Sequence, residues 1–335
     1  MRSILITGAS GFIGSFIVEE ALKRGFEVWA GIRSTSSKKY LNNSQIHFLE
    51  LDFAHPHKLQ EQLAKQQQMH GIFDYIIHCA GVTKCTDHKD FDLVNFLQTT
   101  YFVEAIQNLN MVPKQFAYVS TLSVFGPIHE KSYEPIKEED VPLPNTYYGI
   151  SKLKAEQYIQ SLPSFPYVIY RPTGVYGPRE HDYFLMAKSI KQHLDFEVGF
   201  RRQDLTFVYV KDIVQAIFLG IEKEITHRTY FLSDGNIYQS RTFSNLIRKE
   251  LNDPFVIRLK CPLIVLKVVS LLANFWAEWQ KKPTTLNIDK YKIMKQRNWQ
   301  CDITPAIKEL GFIPKYNLER GVKETIAWYK NEGWL

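Results

Sequence analysis

Short apolar runs alternate with longer stretches of helical periodicity through the first half of the chain. Ile4 to Thr7 reads as a strand. Ile13 to Arg24 places Ile13, Phe16, Ile17, Ala21 and Leu22 at the three-and-four spacing of a helix with one buried face. Phe26 to Ile32 and Ile46 to Leu51 read as the next strands, followed by a polar-faced helix from Leu59 to Gln68. Tyr75 to Cys79 is a fourth strand, Phe91 to Leu109 a long helix and Phe116 to Ser120 a fifth strand. Tyr148 to Gln160 is helical, and Tyr167 to Tyr170 is a sixth strand. Strands alternating with helices pair in parallel through right-handed crossovers. Continuously apolar strands fit a sheet covered on both faces. The expected class is therefore α/β, a doubly wound Rossmann-type parallel sheet.

After Pro172 the pattern loosens. A helix is expected from Tyr183 to Gln192, a strand end and helix over Phe207 to Glu222, and a strand at Tyr230 to Leu232. From Phe243 onward the chain reads as mainly helical. The expected organisation is a dinucleotide-binding domain over 1–173, with 203–234 returning to it. Residues 174–202 and 235–335 then form a smaller, mainly helical substrate-side region.

Composition adds bounds. The chain has 335 residues, 45% hydrophobic and 23% charged, which excludes a disordered chain. A formal charge of +6 is spread out, with no basic stripe of the nucleic-acid-binding kind. Four cysteines, Cys79, Cys85, Cys261 and Cys301, form neither a disulfide framework nor a zinc cluster. They point to a reducing, cytoplasmic compartment, and no metal site is expected. Met1-Arg2-Ser3 runs straight into the first strand, without a signal peptide. Pro262 to Trp276 is apolar but too short to span a bilayer.

Gly8-Ala9-Ser10-Gly11-Phe12-Ile13-Gly14 links the first strand to the first helix. Glycines here allow a sharp turn, close approach to a pyrophosphate and tight helix–sheet packing, while the helix N-terminus offers N–H groups to phosphate. An NAD site usually carries an acid at the end of the second strand. Here Ile32 stands in that place and Arg33 follows, with Lys38 and Lys39 nearby. A guanidinium can grip a 2′-phosphate, so NADP(H) is favoured over NAD(H).

Tyr148-Gly149-Ile150-Ser151-Lys152 puts a phenol and an ammonium on one helix face. The ammonium is expected to lower the phenol's pKa, making a general acid/base for a carbonyl or alcohol. The hydroxyls of Val119-Ser120-Thr121-Leu122-Ser123 end the fifth strand, where ligands bind in such sheets.

Together these segments resemble the extended short-chain dehydrogenase/reductase family, which includes the NAD-dependent epimerases and dehydratases. Leu51-Asp52-Phe53, His78-Cys79-Ala80-Gly81, Tyr170-Arg171-Pro172, Val175-Tyr176-Gly177-Pro178 and Phe207 to Asp212 carry the likeness further. The resemblance implies Thr121, Tyr148 and Lys152 as catalytic residues. It also implies a cofactor-binding set of Gly8, Ser10, Gly11, Phe12, Ile13, Gly14, Arg33, Asp52, Phe53, Cys79, Ala80, Gly81, Thr83, Tyr148, Lys152, Pro172 and Thr173. Asp52 and Phe53 would contact adenine. A homodimer pairing the helices that start near Phe91 and Tyr148 is implied as well.

Nucleotide-sugar members usually carry an arginine two residues before the aromatic of the Thr206-Phe207-Val208-Tyr209-Val210 stretch; this chain has Leu205 there. The pattern is more similar to the dihydroflavonol-reductase-like and 3β-hydroxysteroid-dehydrogenase-like branches. The expectation is hydride transfer to or from a ketone or alcohol, a bulky apolar small molecule. A nucleotide-sugar epimerase or dehydratase is the alternative, and a non-catalytic NADP sensor the third reading. The segment 262–279 is expected to be a lid, a buried helix or a peripheral membrane contact.

Overall fold

The computed structural model describes residues 1–280, 284 and 286–335; for Phe275 and residues 277–280 only the backbone is described. The chain opens with β1 (Ser3–Thr7), α1 (Phe12–Lys23), β2 (Glu27–Ile32), β3 (Ile46–Glu50), α2 (Pro56–His70) and β4 (Tyr75–His78). Next come α3 (Lys89–Phe91), a π-helical stretch Asp92–Leu97, α4 (Gln98–Asn108), β5 (Gln115–Val119), α5 (Tyr147–Gln160) and β6 (Tyr167–Pro172). The expected single helix after Phe91 is thus interrupted by a π stretch.

The remainder holds β7 (Gly174–Tyr176), α6 (His181–Lys191), β8 (Leu194–Val198), β9 (Asp204–Leu205), β10 (Phe207–Tyr209), α7 (Val210–Glu222) and β11 (Arg228–Leu232). It continues with β12 (Tyr238–Gln239), α8 (Thr242–Glu250), β13 (Ile257–Cys261), α9 (Leu263–Gln280), α10 (Ile288–Lys295) and α11 (Leu318–Asn331). Seven parallel strands form one sheet in the order β11-β6-β5-β4-β1-β2-β3. The strand order reverses between β1 and β4, and both strands end beside the glycine turn. That reversal opens the crevice at the carboxyl ends of the strands.

Both sheet faces are covered. Ile4, Ile6, Val28 and Ile77 pack on one side against α1 and α7. Leu5, Ile76, Phe116 and Ile169 pack on the other against Phe102, Ile106, Ala155 and Ile159. The odd and even residues of β1 separate into the two cores, as strand alternation demands.

The C-terminal region departs from the mainly helical expectation. Leu194-Asp195-Phe196-Glu197-Val198 pairs in parallel with Ile257-Arg258-Leu259-Lys260-Cys261. The register places Leu194, Phe196, Val198, Ile257, Leu259 and Cys261 on one face of this two-stranded ribbon. The opposite face is charged: Arg241 pairs with Asp195 and Glu197, Arg258 with Asp195, and Lys260 with Glu197.

Candidate active site

The glycine turn is built on steric necessity at two points. Gly8 has φ +64°, and a Cβ there would lie 2.8 Å from the Ala80 nitrogen and the Cys79 carbonyl carbon. A Cβ on Gly14 would overlap the Gly8 carbonyl oxygen. The turn closes with Gly11 N–H donating to that oxygen at 2.9 Å. No side chain caps α1, and its first turn holds no acid, so its leading N–H groups face no competing carboxylate within the helix. A cradle that side chains would fill, beneath an uncapped helix N-terminus, fits a pyrophosphate. The same packing brings Cys79 and Ala80 against Gly8.

Arg33 follows directly after β2 and is exposed. Its guanidinium makes no ion pair among the described residues. Asp52 is committed elsewhere. Its carboxylate takes bonds from His55 Nδ1 and Lys58 Nζ at 3.0 Å each, which hold it down at about 2. The ring of Phe53 is buried in the core, edge-on to Phe102 at 5.3 Å. Thr83 is exposed, while Pro172 and Thr173 are buried; Thr173 N–H donates to the Leu232 carbonyl at 3.0 Å and its hydroxyl is unpartnered.

Thr121 lies two residues past β5 and caps the short turn Leu122–Val124, its Oγ1 accepting from Ser123 N–H at 3.1 Å. Tyr148 sits in the first turn of α5. Thr146 Oγ1 caps that helix by accepting from Gly149 N–H at 3.0 Å. Burial pushes the Tyr148 phenol up to about 12, and a hydrogen bond with Thr121 opposes this in part. The expected lowering by Lys152 is therefore corrected. The Lys152 ammonium is turned to the Val119 carbonyl at 2.7 Å and lies 4.0 Å from the Tyr118 ring centre. Burial lowers its own pKa to about 8, against the pull of Glu156 and Cys79. Thr121 and Tyr148 are thus brought together. Lys152 is on the same helix face, with no hydrogen bond to the phenol among the described residues.

Several supporting residues lay outside the expected set. Asn95, buried in the π stretch, accepts from Val82 N–H at 2.8 Å and donates to the Val82 carbonyl and Ser151 Oγ, both at 3.0 Å. It thereby pins the loop after β4 to α5. A lone asparagine inside Leu93-Val94-Asn95-Phe96-Leu97 is the sequence signal that could have found it. His78 bridges Thr7 Oγ1 at 2.8 Å and Thr99 Oγ1 at 3.1 Å, and burial holds it neutral with a pKa of about 3. Glu156, one turn after Lys152, forms a buried ion pair with Arg171 on β6, its Oε2 2.6 Å from Nη2. Asp289 of α10 accepts from Tyr148 N–H at 3.1 Å.

Beside Thr121 lies a cavity of about 490 Å³. Its walls include Leu185, Met186, Phe196, Leu205, Phe207, Ile293, Met294 and Trp299. The only cation among its lining residues is Lys290, which pairs with Asp182 at 2.8 Å. Leu205 forms part of the wall, and Arg202 is bonded to Asp204 instead.

Residues 4–232 match the NAD dependent epimerase/dehydratase family. The chain belongs to that family. It is an NAD(P)-dependent enzyme of the extended short-chain dehydrogenase/reductase group. Among relatives of this family member, the Dictyostelium discoideum sterol-4-alpha-carboxylate 3-dehydrogenase (decarboxylating) is 25% identical over 97% of this chain and 100% of its own length. The human dTDP-D-glucose 4,6-dehydratase is 24% identical, covering 98% of this chain and 90% of that protein. The fold is similar to the Bacillus anthracis dTDP-glucose 4,6-dehydratase in complex with NAD, with TM-score 0.77 and 19% identity over 100% and 98% of the two chains. It is equally similar to a Thermotoga maritima UDP-glucose 4-epimerase with UDP-glucose, with TM-score 0.77 and 21% identity over 99% of each chain.

Proposed function

We propose that this enzyme is an NADP(H)-preferring reductase or dehydrogenase of a bulky, largely apolar ketone or alcohol. The observation that carries the reading is the cavity beside Thr121, whose wall is chiefly aliphatic and aromatic and whose acids, Glu180, Asp182 and Glu197, outnumber its one lining cation, Lys290, itself tied to Asp182. A nucleotide-sugar diphosphate would find no unpaired cation among those lining residues. The name of the Dictyostelium relative, a sterol dehydrogenase, agrees with an apolar substrate.

The Gly8–Gly14 cradle would hold the pyrophosphate, and Arg33 the adenosine 2′-phosphate. When bound, the nicotinamide supplies or accepts hydride. Thr121 orients the substrate oxygen beside the Tyr148 phenol. A phenol at about 12 is protonated at neutral pH, so Tyr148 stands ready to donate to the oxygen as a carbonyl is reduced. Lys152, which donates to the Val119 carbonyl, would hold the nicotinamide ribose when the cofactor binds.

A substrate panel tests this. Consumption of NADPH with hydrophobic ketones, faster than with NADH, is the expected result. Turnover of a UDP- or dTDP-sugar without added cofactor, with indifference to apolar ketones, would replace it with the epimerase/dehydratase reading.

A further inference from the structure

The described part of α9 is an apolar helix left largely uncovered. Leu266 (6% exposed) and Ser270 (0%) are buried against the body of the protein, and Leu263, Ala273 and Asn274 are half-buried. Ile264, Val268, Val269, Leu271, Leu272 and Trp276 remain 44 to 68% exposed. Scattered exposed apolar residues are ordinary, whereas a helix apolar nearly all round is normally buried.

The surface continues beyond the helix. Gly199 lies against Leu263, so the end of the β8–β13 ribbon meets the start of α9. Phe200 there is 70% exposed, and Phe196 and Leu259 on the ribbon's apolar face are 56% and 42% exposed.

Two exposed cations stand at this face, Lys267 on α9 and Arg201 next to Phe200, and neither makes an ion pair among the described residues. Arg258 and Lys260 lie on the ribbon's other face, paired with Asp195 and Glu197, and the sequence of α9 holds one carboxylate, Glu278. An apolar face with unpaired cations at its border is complementary to an anionic lipid surface. Among the described residues no helix is long and apolar enough to cross a membrane, so contact is in the plane of the interface.

We propose that α9 and the apolar face of the β8–β13 ribbon form a docking surface for anionic bilayers, with α9 lying flat at the headgroup boundary. Phe196 belongs both to this face and to the cavity wall. An apolar substrate could thus pass from lipid to Thr121 without crossing water. That corollary rests on the reductase reading; the docking itself does not.

The test is co-sedimentation of the full chain with vesicles of phosphatidylcholine alone and of phosphatidylcholine mixed with phosphatidylglycerol. Binding to the mixed vesicles, weakened by salt, is expected. The double substitution Leu271→Asp/Leu272→Asp should lower it by roughly tenfold or more, because two buried apolar side chains become charged. Lys267→Glu should weaken binding to mixed vesicles only. An unchanged melting temperature, with an unchanged thermal shift on adding NADPH or NADH, verifies that the variants are folded. The proposal is overturned if neither vesicle binds, or if binding survives the double substitution. It is also overturned if light scattering finds a dimer that the same substitution dissolves, since the face would then be covered by a second copy.

Discussion

Substituting Glu156 with alanine should destabilise the protein far more than a surface ion pair would. Three contacts join the side chains: Arg171 Nε to Glu156 Oε1 at 3.2 Å and Oε2 at 3.1 Å, and Nη2 to Oε2 at 2.6 Å. Side-chain exposure is 7% for Arg171 and 0% for Glu156. Removing the acid leaves a guanidinium buried without its counter-charge, at a cost of about 3–5 kcal/mol. The Phe125 and Phe231 rings, centred 5.1 and 5.7 Å from the guanidinium, remain as partial compensation. For a chain of 335 residues, an unfolding entropy of about 2.1 cal/mol/K per residue converts that cost to a melting shift of about 4–7 °C. Scanning fluorimetry of the wild type, Glu156→Ala, Glu156→Leu, Arg171→Met and the double variant Glu156→Leu/Arg171→Met reads the loss and closes the cycle. The double variant, with both charges gone, should recover most of the loss. A shift under about 1 °C for Glu156→Ala, or a double variant worse than the sum of the singles, would refute the reasoning. It would also remove the clamp that sets α5 against β6 beside the cavity.

Four further outcomes are expected. Tyr148→Phe should reduce turnover by about 10²–10⁴-fold while leaving cofactor binding intact, as measured by steady-state rates and calorimetry. Lys152 has a folded pKa of about 8, below its unfolded value, so the unfolded chain holds a proton the native one lacks as pH rises from about 8 toward 10. Stability of the wild type relative to Lys152→Met should therefore rise across that window in pH-dependent denaturant melts; the variant comparison is needed because the thiols of Cys79 and Cys301, pushed up to about 12, act in the opposite sense. Gly14→Ala should abolish the thermal shift given by either dinucleotide, since its Cβ has no space beside the Gly8 carbonyl. Arg33→Ser should cut the preference for NADPH over NADH by roughly 10- to 100-fold in kcat/KM, in line with loss of a charge-assisted phosphate contact.

The seven-stranded sheet was readable from local pattern because its inner strands carry continuous apolar runs and its helices keep one buried face, the edge strand β3 with exposed His47 and Glu50 being less apolar. The glycine turn was readable because Gly8 and Gly14 answer steric demands that few other residues can meet. The ribbon's strands also carry a local signature, the alternation in Leu194 to Val198 and Ile257 to Cys261. Their pairing across more than sixty residues is what local pattern does not supply. The phenol's acidity was misjudged for a similar reason. Helical spacing puts Tyr148 and Lys152 on one face, but the direction of a long side chain is settled by the carbonyl of Val119 and the ring of Tyr118. Asn95, Asp289 and the Glu156–Arg171 pair matter through partners distant in sequence, so their weight emerges only once the chain is folded.

The most direct measurement is a single turnover with saturating NADPH and a hydrophobic ketone, followed by nicotinamide absorbance, for the wild type and Tyr148→Phe. The wild type should oxidise one equivalent of NADPH and yield the alcohol, while the variant binds both ligands and leaves the nicotinamide reduced. Equal NADPH oxidation by both proteins would contradict the assignment of Tyr148 as the proton donor and, with it, the account of the site.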